Sequence, residues 1–294
     1  MQKFRGSYVV CITPMDKEQN IDLNGLKENI DWYISEGASG ICCCGSTGEF
    51  VSLSKEERHQ VAQTTVEYTN ARVPVLVGTS AETTNEMLDY TRHAKDIGAD
   101  GALIINPYYC KPAENEIYEF FKAVSENVDI PVMAYNNPHT SGIDMSNELI
   151  VEICKLKNID YVKESSGEIR RIRELLNLSD DEINIFCGSD DLAFESFVSG
   201  AVGFISVCGN VIPGMSQKLF DLVQQGDLKG AKELYKTMLP LLDLIEGSGK
   251  LVQVVKAAVN KIGHAAGPCR LPRLPLTAEE DAALEKVLKG MSLL

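Results

Sequence analysis

A chain of 294 residues, 44% of them hydrophobic, is long enough to bury a large core in one or two domains. Its formal charge of −14 argues against nucleic acid or an anionic membrane as partner, since both are bound through a basic face, and an anionic substrate would have to be held locally by backbone N–H groups, hydroxyls or Lys111. No run approaches the roughly 18 apolar residues that cross a bilayer and the N-terminus lacks a signal-peptide layout, which points to a cytoplasmic protein.

The nine cysteines, with Cys42, Cys43 and Cys44 consecutive, read as reduced buried residues. Four scattered histidines and no Cys-x-x-Cys pair point away from a metal site.

In chain order, the first apolar run is Tyr8 to Ile12, stopped by Thr13-Pro14. A helical pattern through Leu26, Ile30, Trp32 and Tyr33 closes at Gly37. Ile41 to Cys44 is the second strand and runs into Gly45-Ser46-Thr47-Gly48-Glu49; Ser54-Lys55-Glu56-Glu57 is a capping box that opens a helix. Val73 to Val77, Ala102 to Ile105 and Val132 to Tyr135 read as the next three strands, separated by helices over about Asn85–Ile97 and Ile117–Val124. A helix over Leu149–Leu156 precedes the sixth strand, which carries Lys163. A helix through Ile169, Ile172 and Leu175 leads to Ile183–Cys187, and a short helix over Ala193–Val198 leads to Phe204–Val207.

Eight strand-then-helix units, at intervals of roughly 20 to 35 residues, fit a parallel sheet closed into a (β/α)8 TIM barrel. A doubly wound open sheet is the alternative, because counting strands does not establish closure. From Ile212 onward only helical patterns follow, over Met215–Gln225, Leu228–Ile245 and Leu251–Ile262, with Thr277 capping a last one. The expected organisation is a barrel over residues 1–211 and a helical extension over 212–294, packed on it without a linker.

In a barrel, chemistry sits at the C-terminal strand ends and in the loops after them. Lys163, inside a short apolar strand that breaks at Gly167, is an amine carried toward the interior. Burial disfavours its charged form, and a neutral amine attacks carbonyls. The plainer reading is a lysine whose stem packs while its head reaches water or pairs with Glu164. Gly45-Ser46-Thr47-Gly48 offers hydroxyls and exposed N–H groups as a carboxylate nest, although glycine-rich turns also follow strands for purely structural reasons. Tyr135 ends the fifth strand, where its phenol could relay protons or its ring could simply fill the barrel mouth. Asp190 and Asp191 could orient a hydroxylated substrate or cap the next helix, and His139 reads as a loop residue.

Gly45-Ser46-Thr47-Gly48-Glu49, Tyr135-Asn136-x-Pro138 and Lys163-Glu164, in this order and at these strand ends, resemble the dihydrodipicolinate synthase and N-acetylneuraminate lyase family over residues 5 to at least 215. The resemblance implies a TIM barrel with a helical tail, a Schiff base between Lys163 and pyruvate or the pyruvyl end of a 2-oxo acid, and no cofactor. It assigns Tyr135, hydrogen-bonded towards Ser46, the proton relay, and Ser46 and Thr47 the substrate carboxylate. Gly188 and Ile205 match positions that line the pyruvate pocket. Tyr109 matches a tyrosine that reaches a neighbouring subunit's site, which implies a homotetramer built as a dimer of dimers.

The chain departs from the synthase pattern at Thr140, where synthases usually carry an arginine for the aldehyde's carboxylate. A threonine cannot supply a charge-assisted bidentate contact. The departure favours a relative that cleaves, dehydrates or deaminates a 2-oxo-3-deoxy sugar acid or a hydroxylated 2-oxo acid, with His139, Thr140, Asp190 and Asp191 matching its hydroxyls. A regulatory barrel that merely binds a 2-oxo acid is the non-enzymatic alternative, but it would need the carboxylate nest and not the buried amine.

Overall fold

The structure, a computed structural model, describes residues 4–294. Eight parallel strands close into a barrel in strict chain order: β1 (Gly6–Val10), β2 (Gly40–Cys43), β3 (Val75–Gly78), β4 (Gly101–Ile105), β5 (Val132–Asn136), β6 (Tyr161–Glu164), β7 (Asn184–Cys187) and β8 (Gly203–Ser206). Closure is shown by β1 pairing with both β2 and β8, which rules out the open doubly wound sheet.

The helices of the outer ring are α1 (Leu23–Ser35), α2 (Lys55–Thr69), α3 (Thr84–Asp96), α4 (Glu114–Asn127), α5 (Pro138–Ser141), α6 (Asn147–Cys154), α7 (Arg170–Leu178) and α8 (Ala193–Val198). The box that opens α2 is fully made: Ser54 Oγ accepts from Glu57 N at 3.2 Å and Glu57 Oε2 accepts from Ser54 N at 2.8 Å. The sequence reading missed α5, which puts His139 and Thr140 on a helical turn instead of a loop. Asn137 caps it through Oδ1, which accepts from Thr140 N at 3.1 Å, and Pro138 supplies a preset φ in its first turn.

Side-chain alternation decides what the barrel encloses. Tyr8, Tyr161 and Phe186 point inward at its N-terminal end, in edge contact at ring-centroid distances of 5.5 Å (Tyr8–Phe186) and 6.0 Å (Tyr161–Phe186), and Phe4 closes on them. Strand register sets glycines opposite these rings: Tyr8 pairs with Gly40 and Phe186 with Gly203, where a Cβ would fall 2.1 Å and 2.3 Å from the respective ring. The result is an aromatic floor, so among the described residues polar chemistry has its room at the C-terminal mouth.

Beyond β8 the described residues form α9 (Pro213–Gln224), α10 (Leu228–Gly247), α11 (Leu251–Lys261) and α12 (Ala278–Gly290). One buried ion pair fastens this segment to the barrel: Lys256 Nζ of α11 lies 2.8 Å from Glu49 Oε1, in the loop after β2, and both side chains are buried. Among the described residues no helix is long and apolar enough to cross a membrane. The nine cysteines are free thiols, and only Cys110 is exposed.

Candidate active site

The mouth of the barrel is a cavity of about 710 Å³, the size of a small-molecule site. Its inner wall is built from strand ends: Val10, Leu103, Ile105, Tyr135, Lys163 and Val207. Lys163 sits on β6 between Tyr135 of β5 and Phe186 of β7, and only 4% of it is exposed. Its ammonium lies 4.1 Å from the centre of the Tyr135 ring. The adjacent Glu164 points the other way. It accepts from Asn136 Nδ2 at 3.0 Å and from Ser166 N at 2.6 Å, and it faces Arg171 of α7 at 3.9 Å. Pairing with Glu164 therefore does not explain Lys163; its amine enters the cavity.

Gly188, at the end of β7, makes room for that amine. A Cβ there would fall 2.7 Å from Lys163 Cε and 1.9 Å from Ser165 Oγ. Ser165, two residues after Lys163, also lines the cavity, and its buried hydroxyl has no partner in the protein. The sequence reading passed over it, although strand period alone puts residues 163 and 165 on one face. A buried hydroxyl with nothing to bond is one that a ligand can satisfy.

Ser46 and Thr47 follow β2 onto the same wall, and Thr47 is buried. The Tyr135 phenol does not bond Ser46. It accepts from Asn137 Nδ2 at 2.7 Å, so its own proton remains free to donate into the cavity. His139 and Thr140 line the wall from α5, with His139 Nε2 3.2 Å from the Ser166 carbonyl oxygen.

Several sequence assignments change. Asp190 is fully buried and does not reach the cavity; its carboxylate accepts from Val207 N at 3.1 Å and from Cys208 N, which secures the end of β8. The neighbouring Asp191 lines the wall in its place. Ile205 is buried and does not line the cavity, whereas Val207, two residues on, does. Lys111 stands beside Gly142, off the wall. Tyr109 is 88% exposed and Tyr108 is the tyrosine that lines its own chain's cavity.

Six wall residues come from the C-terminal segment, which strand-end logic does not reach, and two of them are charged: Glu246 on α10 and Arg273 after α11. Glu246 Oε1 accepts from Asp190 N at 3.2 Å. Burial, reinforced by the Asp190 charge, pushes the Glu246 carboxyl up to about 7, and burial pushes Asp190 up to about 6 against the opposing pull of the Cys208 and Val207 amides. This corner of the site thus holds fewer negative charges near neutrality than its carboxyl count implies.

A buried amine beside a phenol, with hydroxyls and a glycine-bearing turn on the same wall, is chemically suited to a small 2-oxo acid. Known proteins show what the whole chain is similar to. The model of the family described as "Dihydrodipicolinate synthetase family" matches residues 3–291. The 4-hydroxy-tetrahydrodipicolinate synthase of Methanothrix thermoacetophila is 36% identical over 290 residues, covering 98% of this chain and 97% of the relative. That of Methanosarcina mazei is 36% identical over 292 residues, covering 99% of each. The crystal structure of the chloride-inhibited dihydrodipicolinate synthase from Acinetobacter baumannii, complexed with pyruvate, superimposes with a TM-score of 0.95 at 33% identity, covering 99% of both chains.

Proposed function

This chain belongs to the dihydrodipicolinate synthetase family, and from that premise we propose that Lys163 forms a Schiff base with pyruvate and that the resulting enamine adds to an aldehyde bearing a carboxylate. The protein is an enzyme of the class I aldolase type, a lyase or synthase that acts on pyruvate. The observation that carries the mechanism is Lys163 itself, an amine 4% exposed with a phenol at its side and a cavity before it.

The Lys163 amine attacks the keto carbon of pyruvate, and the carbinolamine loses water to give a protonated imine. The imine withdraws electrons from the adjacent methyl, which loses a proton to become the enamine, and the enamine carbon forms the new C–C bond with the aldehyde carbon. Hydrolysis or displacement of the imine frees Lys163. Tyr135 is the proton relay. Its hydroxyl, accepting from Asn137, keeps a donor directed at the intermediate. Ser46 and Thr47 receive the pyruvate carboxylate, and the unpartnered Ser165 hydroxyl adds a third contact. Gly188 keeps the space in which Lys163 changes from amine to imine.

For the second substrate, the names of the curated relatives support a carboxylate-bearing aldehyde. The alternative, a hydroxylated or deoxy sugar acid, drew on the threonine at position 140, with His139, Thr140, Asp190 and Asp191 as hydroxyl partners. Asp190 is spent on the β8 amides, so that reading keeps three of its four groups on the wall. Consumption of pyruvate in the presence of aspartate semialdehyde tests the proposal. Turnover at kcat/KM of about 10⁴ M⁻¹s⁻¹ or more is expected, the lower end of ordinary enzymes. Turnover of 2-oxo-3-deoxy acids with none of the semialdehyde would reverse the choice.

A further inference from the structure

We propose that Arg273 is the specificity residue for the second substrate, its guanidinium receiving the distal carboxylate that Thr140 lacks the charge to hold. The inference rests on the pyruvate reading above and extends it to the outer part of the cavity. Arg273 and Lys163 are the Arg and Lys side chains on the cavity wall, and Lys163 is committed to the imine.

Arg273 has donors to spare. Its Nη1 donates to Ser52 Oγ at 3.1 Å and lies 3.7 Å from Glu49 Oε2, while Nε and Nη2 bond no protein atom among the described residues. Glu49 is already engaged by the Lys256 ion pair at 2.8 Å and by Arg270 N, which donates to it at 3.0 Å. Arg270 in turn spends its guanidinium on Glu57, at 2.6 and 2.8 Å. Among the described residues, Lys256, Arg270 and Arg273 form ion pairs with Glu49 and Glu57 alone, so three cations meet two carboxylates, and Arg273, the most loosely paired at 3.7 Å, is the one that borders the cavity. Asp191 and Glu246 place two carboxyls on the wall near β7 and make it a poorer seat for an anion than the Arg273 side. The Ser52 and Glu49 contacts hold the guanidinium in place, so a carboxylate meets a donor set that is already oriented.

The test compares the parent with Arg273→Gln and Arg273→Lys, using pyruvate with aspartate semialdehyde or succinic semialdehyde, and with butanal as the uncharged aldehyde. Borohydride trapping of pyruvate is measured on each protein. Loss of a charge-assisted hydrogen bond should lower kcat/KM for the semialdehydes about 10- to 100-fold in Arg273→Gln, chiefly through KM. Butanal turnover and the pyruvate adduct should be unchanged, and Arg273→Lys should recover part of the loss. An equal fall for charged and uncharged aldehydes would assign Arg273 a structural role through Ser52 and Glu49 and overturn the proposal. So would unchanged semialdehyde kinetics, or a parent that prefers butanal. Absence of the pyruvate adduct from the parent is a different failure, since it removes the Schiff-base reading itself.

Discussion

Replacing Glu246 by Gln removes a carboxyl from beside Lys163 and should make the stability of the protein less dependent on pH. The carboxyl is pushed up from 4.5 to about 7 by burial and by Asp190, with Asp191 adding to the effect and Lys163 opposing it. Between those pH values the folded state holds a proton that the unfolded state has released, so the parent loses stability as pH rises through the window. At about 1.4 kcal/mol per pH unit the interval makes ~3 kcal/mol the ceiling, reached above about pH 7. The net gain will be smaller, because Asp190 shares the charge that the two carboxyls carry together. Glutamine keeps an oxygen to accept from Asp190 N, so the geometry of the corner survives. Thermal unfolding of parent and Glu246→Gln should differ little at pH 4.5 and separate steadily toward pH 8. For a chain of this length the variant's Tm should be higher at pH 8 by roughly 2 to 6 °C. Curves that stay parallel over the whole range would show that Glu246 ionises normally and that the corner is more open to water than described.

Tyr135→Phe should retain the fold and the pyruvate affinity but slow turnover by about 10² to 10⁴, the range for a lost proton-transfer group; an unchanged kcat would reduce Tyr135 to a packing residue. Gly188→Ala places a methyl 2.7 Å from Lys163 Cε, about 1 Å inside ordinary contact, and displacements of that size cost about 10²-fold in rate, so adduct formation in stopped-flow should slow by that order. Normal trapping kinetics in that variant would mean Lys163 has another way to turn. If the exposed Tyr109 completes a neighbour's site, light scattering should find a dimer of dimers, and Tyr109→Phe should lower activity without changing its mass. A fully active monomer at micromolar concentration would contradict that role.

The barrel was legible because its strands are short apolar runs stopped by Gly, Pro or polar turns, and because covered parallel strands need no alternation. Lys163 and Tyr135 stand where an apolar residue would pack, but their own surroundings in the sequence also allowed plain packing roles, and it was the family resemblance that singled them out. What escaped the sequence depended on three-dimensional neighbours. Asp190 looks like a free loop acid, but the amides at the end of β8 consume it. The difference between Ile205 and Val207 is one layer of barrel depth, which register sets and composition does not. Asn137 takes the phenol that Ser46 was expected to hold because the α5 turn folds back over β5. Glu246 and Arg273 lie far along the chain on helical and irregular segments, and only the docking of the C-terminal segment, secured by Lys256 and Glu49, brings them to the mouth.

The central claim is that one amine carries the chemistry. Incubation with pyruvate, reduction by borohydride and peptide mapping test it most directly. One reduced pyruvyl group per chain is expected, located on the peptide that contains Lys163, with no adduct in Lys163→Ala. Label on another lysine, or an undiminished adduct in the variant, would contradict it.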